Sequence, residues 1–254
     1  MKDNGRTNAL HLERVSHGYG SVEVLRDLNL VVNRGEIVVL VGPSGCGKTT
    51  ILNLLSGFLQ PREGTVNKDG ITRTVYQQDG LFPWLTVSEN ISMGLRSPAN
   101  GNGQARDIAQ SKAGDVKELI QLIRMEGFEN HYPHELSGGM RQRVELARVL
   151  AGDSDILLMD EPFSALDYQS RLRMRRELIL LLEKRPRTVV FVTHDIEEAA
   201  QLADRVLVLS NRPATICREL RIDASQPRRL SDPSVIGAME EILKELGLST
   251  PNSQ

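Results

Sequence analysis

The sequence contains no apolar run of the roughly 18 residues that a membrane-spanning helix needs. Its longest apolar stretches, such as IVVLVG and TVVFVT, have the length of buried strands. Aromatic residues make up only 4% of the chain and the net charge is −2, which argues against nucleic-acid binding, because that function uses basic surfaces and stacking aromatics. The two cysteines, Cys46 and Cys217, have no metal-binding spacing and favour a reducing, cytoplasmic compartment.

What the sequence does contain is an alternation of strand and helix patterns. Continuous apolar runs such as Ile37–Val41 are typical of strands covered on both faces. Their alternation with helical spacing predicts an α/β fold with a mostly parallel sheet. Alternating residues near the N-terminus predict an antiparallel β subdomain, and residues from about 87 to 150 predict an inserted helical lobe. We expect one domain over 8–222, then a short linker and C-terminal helix over 223–254.

A phosphate-binding pattern follows the first continuous apolar run. GPSGCGKTT begins at Gly42 and matches G-x-x-x-x-G-K-[ST] between a predicted strand and a predicted helix, which indicates a P-loop NTPase core. Glycines let backbone N–H groups surround phosphates, and the helix N-terminus adds partial positive charge. Lys48 is expected to reach the β- and γ-phosphates, and Thr49 to bind magnesium. The predicted ATP-binding residues are Gly42, Pro43, Ser44, Gly45, Cys46, Gly47, Lys48, Thr49 and Thr50.

An acidic pair, Asp160 and Glu161, ends the apolar run ILLM. Carboxylates at the carboxyl ends of parallel strands lie where ligands bind in such sheets. We expect Asp160 to hold magnesium and Glu161 to polarise the attacking water. The alternative is an ordinary acidic cluster that caps a helix.

The stretch LSGGMRQRVELARVL, from Leu136 to Leu150, reads as a basic amphipathic helix preceded by two glycines. Gly138 and Gly139 are expected just in front of that helix, with N–H groups open to an anion. A phosphate loop, then LSGGMRQR, then LLMDEP, in that order, resembles the ATP-binding cassette ATPases that drive ABC transporters. The resemblance covers roughly Leu10 to Leu220. It implies a head-to-tail dimer that holds each ATP between one subunit's phosphate loop and the other's Ser137, Gly138 and Gly139.

Further motifs carry the same resemblance and imply roles for single residues. Tyr19 stands where the family stacks an aromatic ring on adenine. The alternative, which the residue alone would favour, is an ordinary tyrosine at the end of a strand with no ligand. Gln77, in VYQQDGLFPW, links magnesium and the attacking water to the membrane partner, and His194, in FVTHD, contacts the γ-phosphate. The implied catalytic residues are Glu161, His194 and Gln77, the implied magnesium ligands are Thr49, Gln77 and Asp160, and the implied dimer interface is Ser164, Ala165, Leu166 and Asp167.

Within the family, LFPWLTVSEN, THDIEEA and the QPRR tail resemble importers of nitrate, sulfonate or taurine. The resemblance implies a transmembrane permease, a second ABC ATPase subunit (a copy or a related cassette) and, indirectly, a solute-binding protein. It also places the chain at the cytoplasmic face of the membrane. Two alternatives stay open: a soluble cassette ATPase acting on nucleic acid or ribosomes, or the cassette of an exporter. A third alternative is a kinase that transfers the phosphoryl group to a bound acceptor. The LSGG motif and His194 argue against it.

Three features remain to be placed. The apolar run GLFPWL holds the only tryptophan, and we expect Leu81, Phe82 and Trp84 to contact the permease. The alternative is that Phe82 and Trp84 pack inside the helical lobe. Cys46 is expected to react with alkylating reagents because Lys48 and a helix N-terminus are close, unless it is buried. Glu145 occupies a position where the family more often has a small residue, and no role follows from the sequence.

Overall fold

The computed structural model describes residues 8–76, 80–95 and 107–248, with the side chains of 107–114 outside the description. Strands and helices alternate along most of the chain. The strands are β1 (Asn8–Tyr19), β2 (Val22–Asn33), β3 (Ile37–Val41), β4 (Glu63–Lys68), β5 (Thr72–Val75), β6 (Ile156–Asp160), β7 (Thr188–Val192), β8 (Arg205–Leu209) and β9 (Ile216–Arg221). The helices are α1 (Lys48–Ser56), α2 (Val87–Gly94), α3 (Asp107–Leu122), α4 (Gly138–Ala151), α5 (Tyr168–Lys184), α6 (Ile196–Leu202) and α7 (Pro233–Glu245).

The described residues form two compact units. The first unit holds residues 8–72, 155–161 and 178–248. The second holds 73–76, 80–95, 107–154 and 162–177, and it contains α2, α3 and α4. None of the described helices is long and apolar enough to cross a membrane.

The first unit is built on a sheet with the strand order β6-β7-β3-β8-β9. The first four of these strands are parallel, and β9 is antiparallel to β8. Every residue of β3, β6, β7 and β8 is buried, which explains the continuous apolar runs in the sequence. The predicted mostly parallel sheet is confirmed. Because parallel strands point the same way, the segments that follow β3, β6 and β7 meet at one edge of the sheet.

A separate antiparallel sheet, in the order β2-β1-β4, belongs to the same unit. Both neighbours of β1 run antiparallel to it, which confirms the predicted N-terminal antiparallel strands. Leu12 and Val15 from β1 and Leu25 from β2 are fully buried, and they share one apolar cluster with Leu55 of α1. This packing fixes the antiparallel sheet against the helix that carries the phosphate loop.

Helix starts in the second unit differ from the sequence expectation. The sequence predicts a helix from Ala113 and an N-cap at Ser88, whereas α3 already begins at Asp107 and the N-cap of α2 is Thr86. Residues 107–112 contain good helix formers such as alanine and glutamine, so a polar composition does not prevent a helix there. Thr86 is favoured because Glu89 completes a capping box with it. The sequence predicts a surface loop over 96–112, which is wrong for 107–112 because they belong to α3, while 96–106 lie outside the described residues.

The segment read as a linker is anchored by a buried arginine. Arg228 is only 4% exposed, and its guanidinium donates to the backbone oxygens of Ile222, Ala224 and Ala203. Several carbonyl acceptors compensate the cost of burying this cation. Beyond it, α7 packs on α6, so the C-terminal helix belongs to the first unit.

Candidate nucleotide-binding site

The phosphate loop connects β3 to α1, as the motif requires. Gly45 and Gly47 have φ values of 71° and 130°, a backbone region that glycine adopts without a steric penalty. The ammonium group of Lys48 folds back over the loop and donates to the oxygens of Gly42 (2.8 Å) and Pro43 (2.9 Å). Lys48 is 7% exposed. The loop is therefore closed around its own lysine, at the N-terminus of a helix suited to phosphate.

Asp160 is the last residue of β6 and is 3% exposed. Burial raises the pKa of its carboxyl group, and a hydrogen bond from the Thr49 side chain lowers it in part. Glu161 adds a raising effect on the same pKa and Lys48 a lowering one. The chain therefore pairs a buried carboxylate with a threonine hydroxyl beside the phosphate loop.

Glu161 and His194 meet at the same edge of the sheet. Glu161 Oε1 lies 3.0 Å from His194 Nδ1, and the side chain of His194 is 64% exposed. Glu161 has a φ of 48°, which is uncommon for a residue other than glycine, and its N–H donates to the Val192 oxygen (2.9 Å). Backbone conformations of this kind concentrate at functional sites.

Three residues that the sequence analysis did not single out hold the histidine segment in place. The Thr193 hydroxyl donates to Glu198 Oε2 at 2.6 Å and accepts from the Asp195 N–H at 2.9 Å. Asp195 also caps α6 through the N–H of Glu198. The T-H-D-x-x-E spacing is the signal that could have predicted this turn, because an N-cap acid is commonly followed by glutamate three residues on.

Tyr19 ends β1 and is 52% exposed, with its hydroxyl 3.4 Å from Thr50 Oγ1. It therefore presents a ring to solvent beside α1, and its predicted contact with adenine stays a prediction. Cys46 is 2% exposed and belongs to the apolar cluster of this unit. This burial favours an inert thiol over the expected reactive one.

The second unit contains the glycine-headed helix. Gly138 is the first residue of α4 and Ser137 is its N-cap, so the glycines begin the helix and do not precede it. Ser137 Oγ accepts from the Met140 N–H at 3.3 Å. First-turn N–H groups lack partners inside a helix, so those of both glycines are available to an anion, and the predicted contact with ATP stays a prediction.

The predicted interface segment Ser164–Asp167 lies against the start of α4. A Cβ atom on Gly139 would lie 3.1 Å from the Ala165 oxygen, so glycine permits this approach. Gln142 accepts from the Ala165 N–H (2.9 Å) and lies within 3.4 Å of Ser164 Oγ. Sequence reasoning missed Gln142, although it lies one helical turn beyond Gly139. Asp167 caps the next helix through the Ser170 N–H at 3.0 Å.

The three residues expected at the permease differ in exposure. Leu81 is 9% exposed, Phe82 is half-buried, and Trp84 is 69% exposed. The rings of Phe82 and Trp84 are 5.6 Å apart. Trp84 therefore does not pack inside the helical unit. Gln77 lies outside the residues that the structure describes.

A parallel sheet with a phosphate loop, a buried aspartate and a glutamate–histidine pair at its carboxyl edge defines a P-loop nucleotide hydrolase. The family model for the ABC transporter matches residues 25–164, more than half of the chain. The chain belongs to the ABC transporter family. It is accordingly an ATP-binding ATPase with the α/β P-loop NTPase fold of that family.

Relatives are similar over almost the whole chain. An aliphatic sulfonates import ATP-binding protein, SsuB 1 of Rhodococcus jostii, is 41% identical over 243 residues, which cover 93% of each chain. The taurine import ATP-binding protein TauB of Jannaschia is 37% identical over 239 residues, covering 88% of this chain and 87% of that protein. The dimeric structure of MJ0796, a bacterial ABC transporter cassette, matches with a TM-score of 0.74 and 32% identity, covering 85% of this chain and all of that one. A second structure of that cassette is a dimeric post-hydrolysis state bound to ADP and Pi, with 31% identity.

Proposed function

We propose that this chain is the ATP-hydrolysing subunit of a membrane importer for a small solute such as a sulfonate, taurine or nitrate. The observation that carries the ATPase part is the Glu161–His194 contact of 3.0 Å at the sheet edge that also holds the phosphate loop. The solute class is supported by relatives whose names are sulfonate and taurine import proteins. The chain then works at the cytoplasmic face of the membrane, attached through a transmembrane permease and indirectly served by a solute-binding protein.

Magnesium fits the oxygen donors at this site. Mg²⁺ prefers carboxylate and hydroxyl oxygens, and the buried Asp160 carboxylate is hydrogen-bonded to Thr49. We assign Thr49, Asp160 and Gln77 as the residues that would hold it. When bound, the ion supplies positive charge that neutralises the transferred phosphate.

The remaining steps belong to the chain's own groups. Lys48 and the loop N–H groups bind the β- and γ-phosphates, and Tyr19 stacks on the base. Glu161 orients and polarises the attacking water, while His194 contacts the γ-phosphate. The contact between the two side chains keeps them together beside the phosphate loop.

Hydrolysis takes place in a head-to-tail dimer with a copy of the chain or a related cassette. Ser137, Gly138 and Gly139 of one subunit then offer a hydroxyl and first-turn N–H groups to ATP on the other, and Ser164, Ala165, Leu166 and Asp167 line the interface. The positive helix end compensates the charge of the γ-phosphate. ADP lacks that phosphate, so hydrolysis reopens the dimer. The proposed organisation is one ATPase domain over 8–222, with a helical lobe over about 87–150 and a C-terminal extension over 223–254.

Uptake by reconstituted vesicles tests this function. The chain would be combined in liposomes with its permease partner, and ATP-dependent accumulation of taurine, methanesulfonate and nitrate measured. We expect accumulation of one of these solutes and its loss in Lys48→Ala. ATP hydrolysis stimulated by ribosomes or single-stranded DNA, with no uptake, would favour the soluble alternative. Efflux from preloaded vesicles would favour an exporter.

A further inference from the structure

Glu145 and Arg148, both on the last two turns of α4, are charged residues to which the proposed nucleotide site gives no role. Arg148 Nη1 donates to the backbone oxygen of Gly80 at 2.6 Å, and the Arg148 guanidinium lies 5.4 Å from the centre of the Phe82 ring. Glu145 is 2% exposed, and its carboxylate lies 3.9 Å from Arg148 Nη2. An acidic partner compensates part of the cost of burying the arginine.

The glycine at position 80 is required by this arrangement. A Cβ atom there would lie 2.8 Å from Glu145 Oε1 and 3.0 Å from Arg148 Nη2. The chain segment that leads to Phe82 therefore approaches α4 more closely than any other residue would permit. This close contact explains where the Glu145 side chain lies, a residue for which the sequence indicates no role.

A second anchor fixes the other side of the same segment. Asn90, on α2, is fully buried and accepts from the Phe82 N–H at 2.9 Å. Its amide donates to the oxygens of Leu85 (2.9 Å) and Thr86 (3.0 Å). The helices α2 and α4 are themselves in backbone contact, because a Cβ on Gly94 would lie 1.9 Å from the Arg148 oxygen. The exposed Trp84 thus projects from a segment held at both ends by this helix pair.

We propose that Arg148 and Glu145 are positioning residues that couple the Phe82–Trp84 segment, which carries the exposed Trp84, to α4. The same helix begins at Gly138, about 15 Å away along its axis, where the proposed function places the second subunit's ATP. A rigid helix moves as one body, so a displacement at its start on dimer closure reaches Gly80 and Phe82 through Arg148. This proposal rests on the proposed function for its driving event.

Trp84, the only tryptophan, makes the proposal measurable in the chain itself. Arg148 contacts the Phe82 ring, and the Phe82 ring contacts the Trp84 indole, so a shift of Arg148 changes the surroundings of the indole. In a Glu161→Gln background, we would record Trp84 emission and the mass by light scattering, before and after adding Mg-ATP. We expect a change in emission together with dimer formation. Arg148→Ala should still dimerise but lose most of the emission change, and Arg148→Lys should restore part of it.

The controls separate coupling from folding. Arg143→Lys lies on the same helix and contacts the Ile123 oxygen instead of the 80–84 segment, so it should keep the full response. Because Arg148→Ala leaves Glu145 buried without its arginine, the double variant Glu145→Ala/Arg148→Ala serves as a second test, with thermal melting to verify folding. An unchanged emission response in a dimeric Arg148→Ala protein would overturn the proposal, as would dimerisation of the parent without any response. Absence of an ATP-dependent dimer would instead overturn the proposed function, and the coupling with it.

Discussion

At the scale of single residues, each carboxylate of the site depends on how much hydration it loses on folding and which hydrogen bonds replace it. Asp160 gives up hydration and gains one threonine hydroxyl, whereas Asp167 stays in solvent and accepts hydrogen bonds from Ser170. Burial raises the pKa of Asp160, and the Ser170 hydrogen bonds lower the pKa of Asp167. The contributions of the two carboxylates to folding stability therefore change with pH in opposite directions.

The sign for Asp160 gives a testable prediction. A pKa raised by folding means that its ionised form opposes folding, so stability is lost as pH rises through the raised pKa. Without Mg-ATP, Asp160→Asn should therefore melt above the parent at neutral pH, with the gap closing as pH falls to the ordinary aspartate pKa. Mg-ATP should stabilise the parent and scarcely the variant.

Asp167→Asn is the matched control for that experiment. Its lowered pKa predicts that stability is present above the ordinary aspartate pKa and is lost as pH falls through the lowered one. This variant should melt below the parent at neutral pH and approach it in acid. If Asp160→Asn followed this same pattern, burial would not dominate the ionisation of Asp160.

The two thiols provide a second residue-scale prediction. Cys46 is buried and Cys217 is exposed, so a chromogenic thiol reagent should titrate one cysteine rapidly and one slowly in the nucleotide-free protein. Cys217→Ser should remove the fast phase and Cys46→Ser the slow one. Two fast phases would show that the phosphate loop opens enough to expose Cys46.

At the scale of elements, helices α2 and α4 and the segment between Gly80 and Thr86 act as one structure. Asn90→Ala should lower the free energy of unfolding by about 3 kcal/mol, because the mutation leaves several buried backbone groups without partners. Chemical denaturation measures this effect. Asn67→Ala, at an exposed position of β4, should change it by less than about 0.5 kcal/mol. A similar small loss for both variants would mean that Asn90 does not hold the segment.

Local patterns predict elements well where the apolar period is clear. The fully buried strands β3, β6 and β7, with a motif at the end of each, place the phosphate loop, Asp160 and His194 at one edge, because parallel strands share a direction. Helix starts are harder, since α3 begins in polar sequence and α4 begins at Gly138 itself. Capping and helix propensity decide where these helices start. The spacing of apolar residues gives little information about either.

Contacts between distant segments could not be predicted from the sequence. Glu145 is buried beside Gly80, and Arg228 is buried among carbonyls in a segment that reads as a linker. Charged residues are usually exposed, so a local pattern places both at the surface. Only the fold shows that Glu145 lies beside Arg148 and that Arg228 finds backbone oxygens to which it donates.

At the scale of the whole molecule, the proposed mechanism depends on a second subunit. Within this chain, the phosphate loop and the glycine-headed α4 belong to different compact units. The proposed mechanism completes each ATP site with α4 of another subunit, so nucleotide binding and dimer closure become one equilibrium. In that proposed mechanism, hydrolysis removes the γ-phosphate that holds the closed state, and the permease is expected to respond to the reopening.

The most direct test is the mass of Glu161→Gln in solution with saturating Mg-ATP, measured by light scattering. The variant keeps the phosphate loop and the helix start but loses the carboxylate proposed to polarise water, so hydrolysis should fall by about 10²–10³-fold. We expect a dimer with Mg-ATP and a monomer with Mg-ADP. A protein that binds ATP yet remains a monomer at saturation would contradict the proposed mechanism.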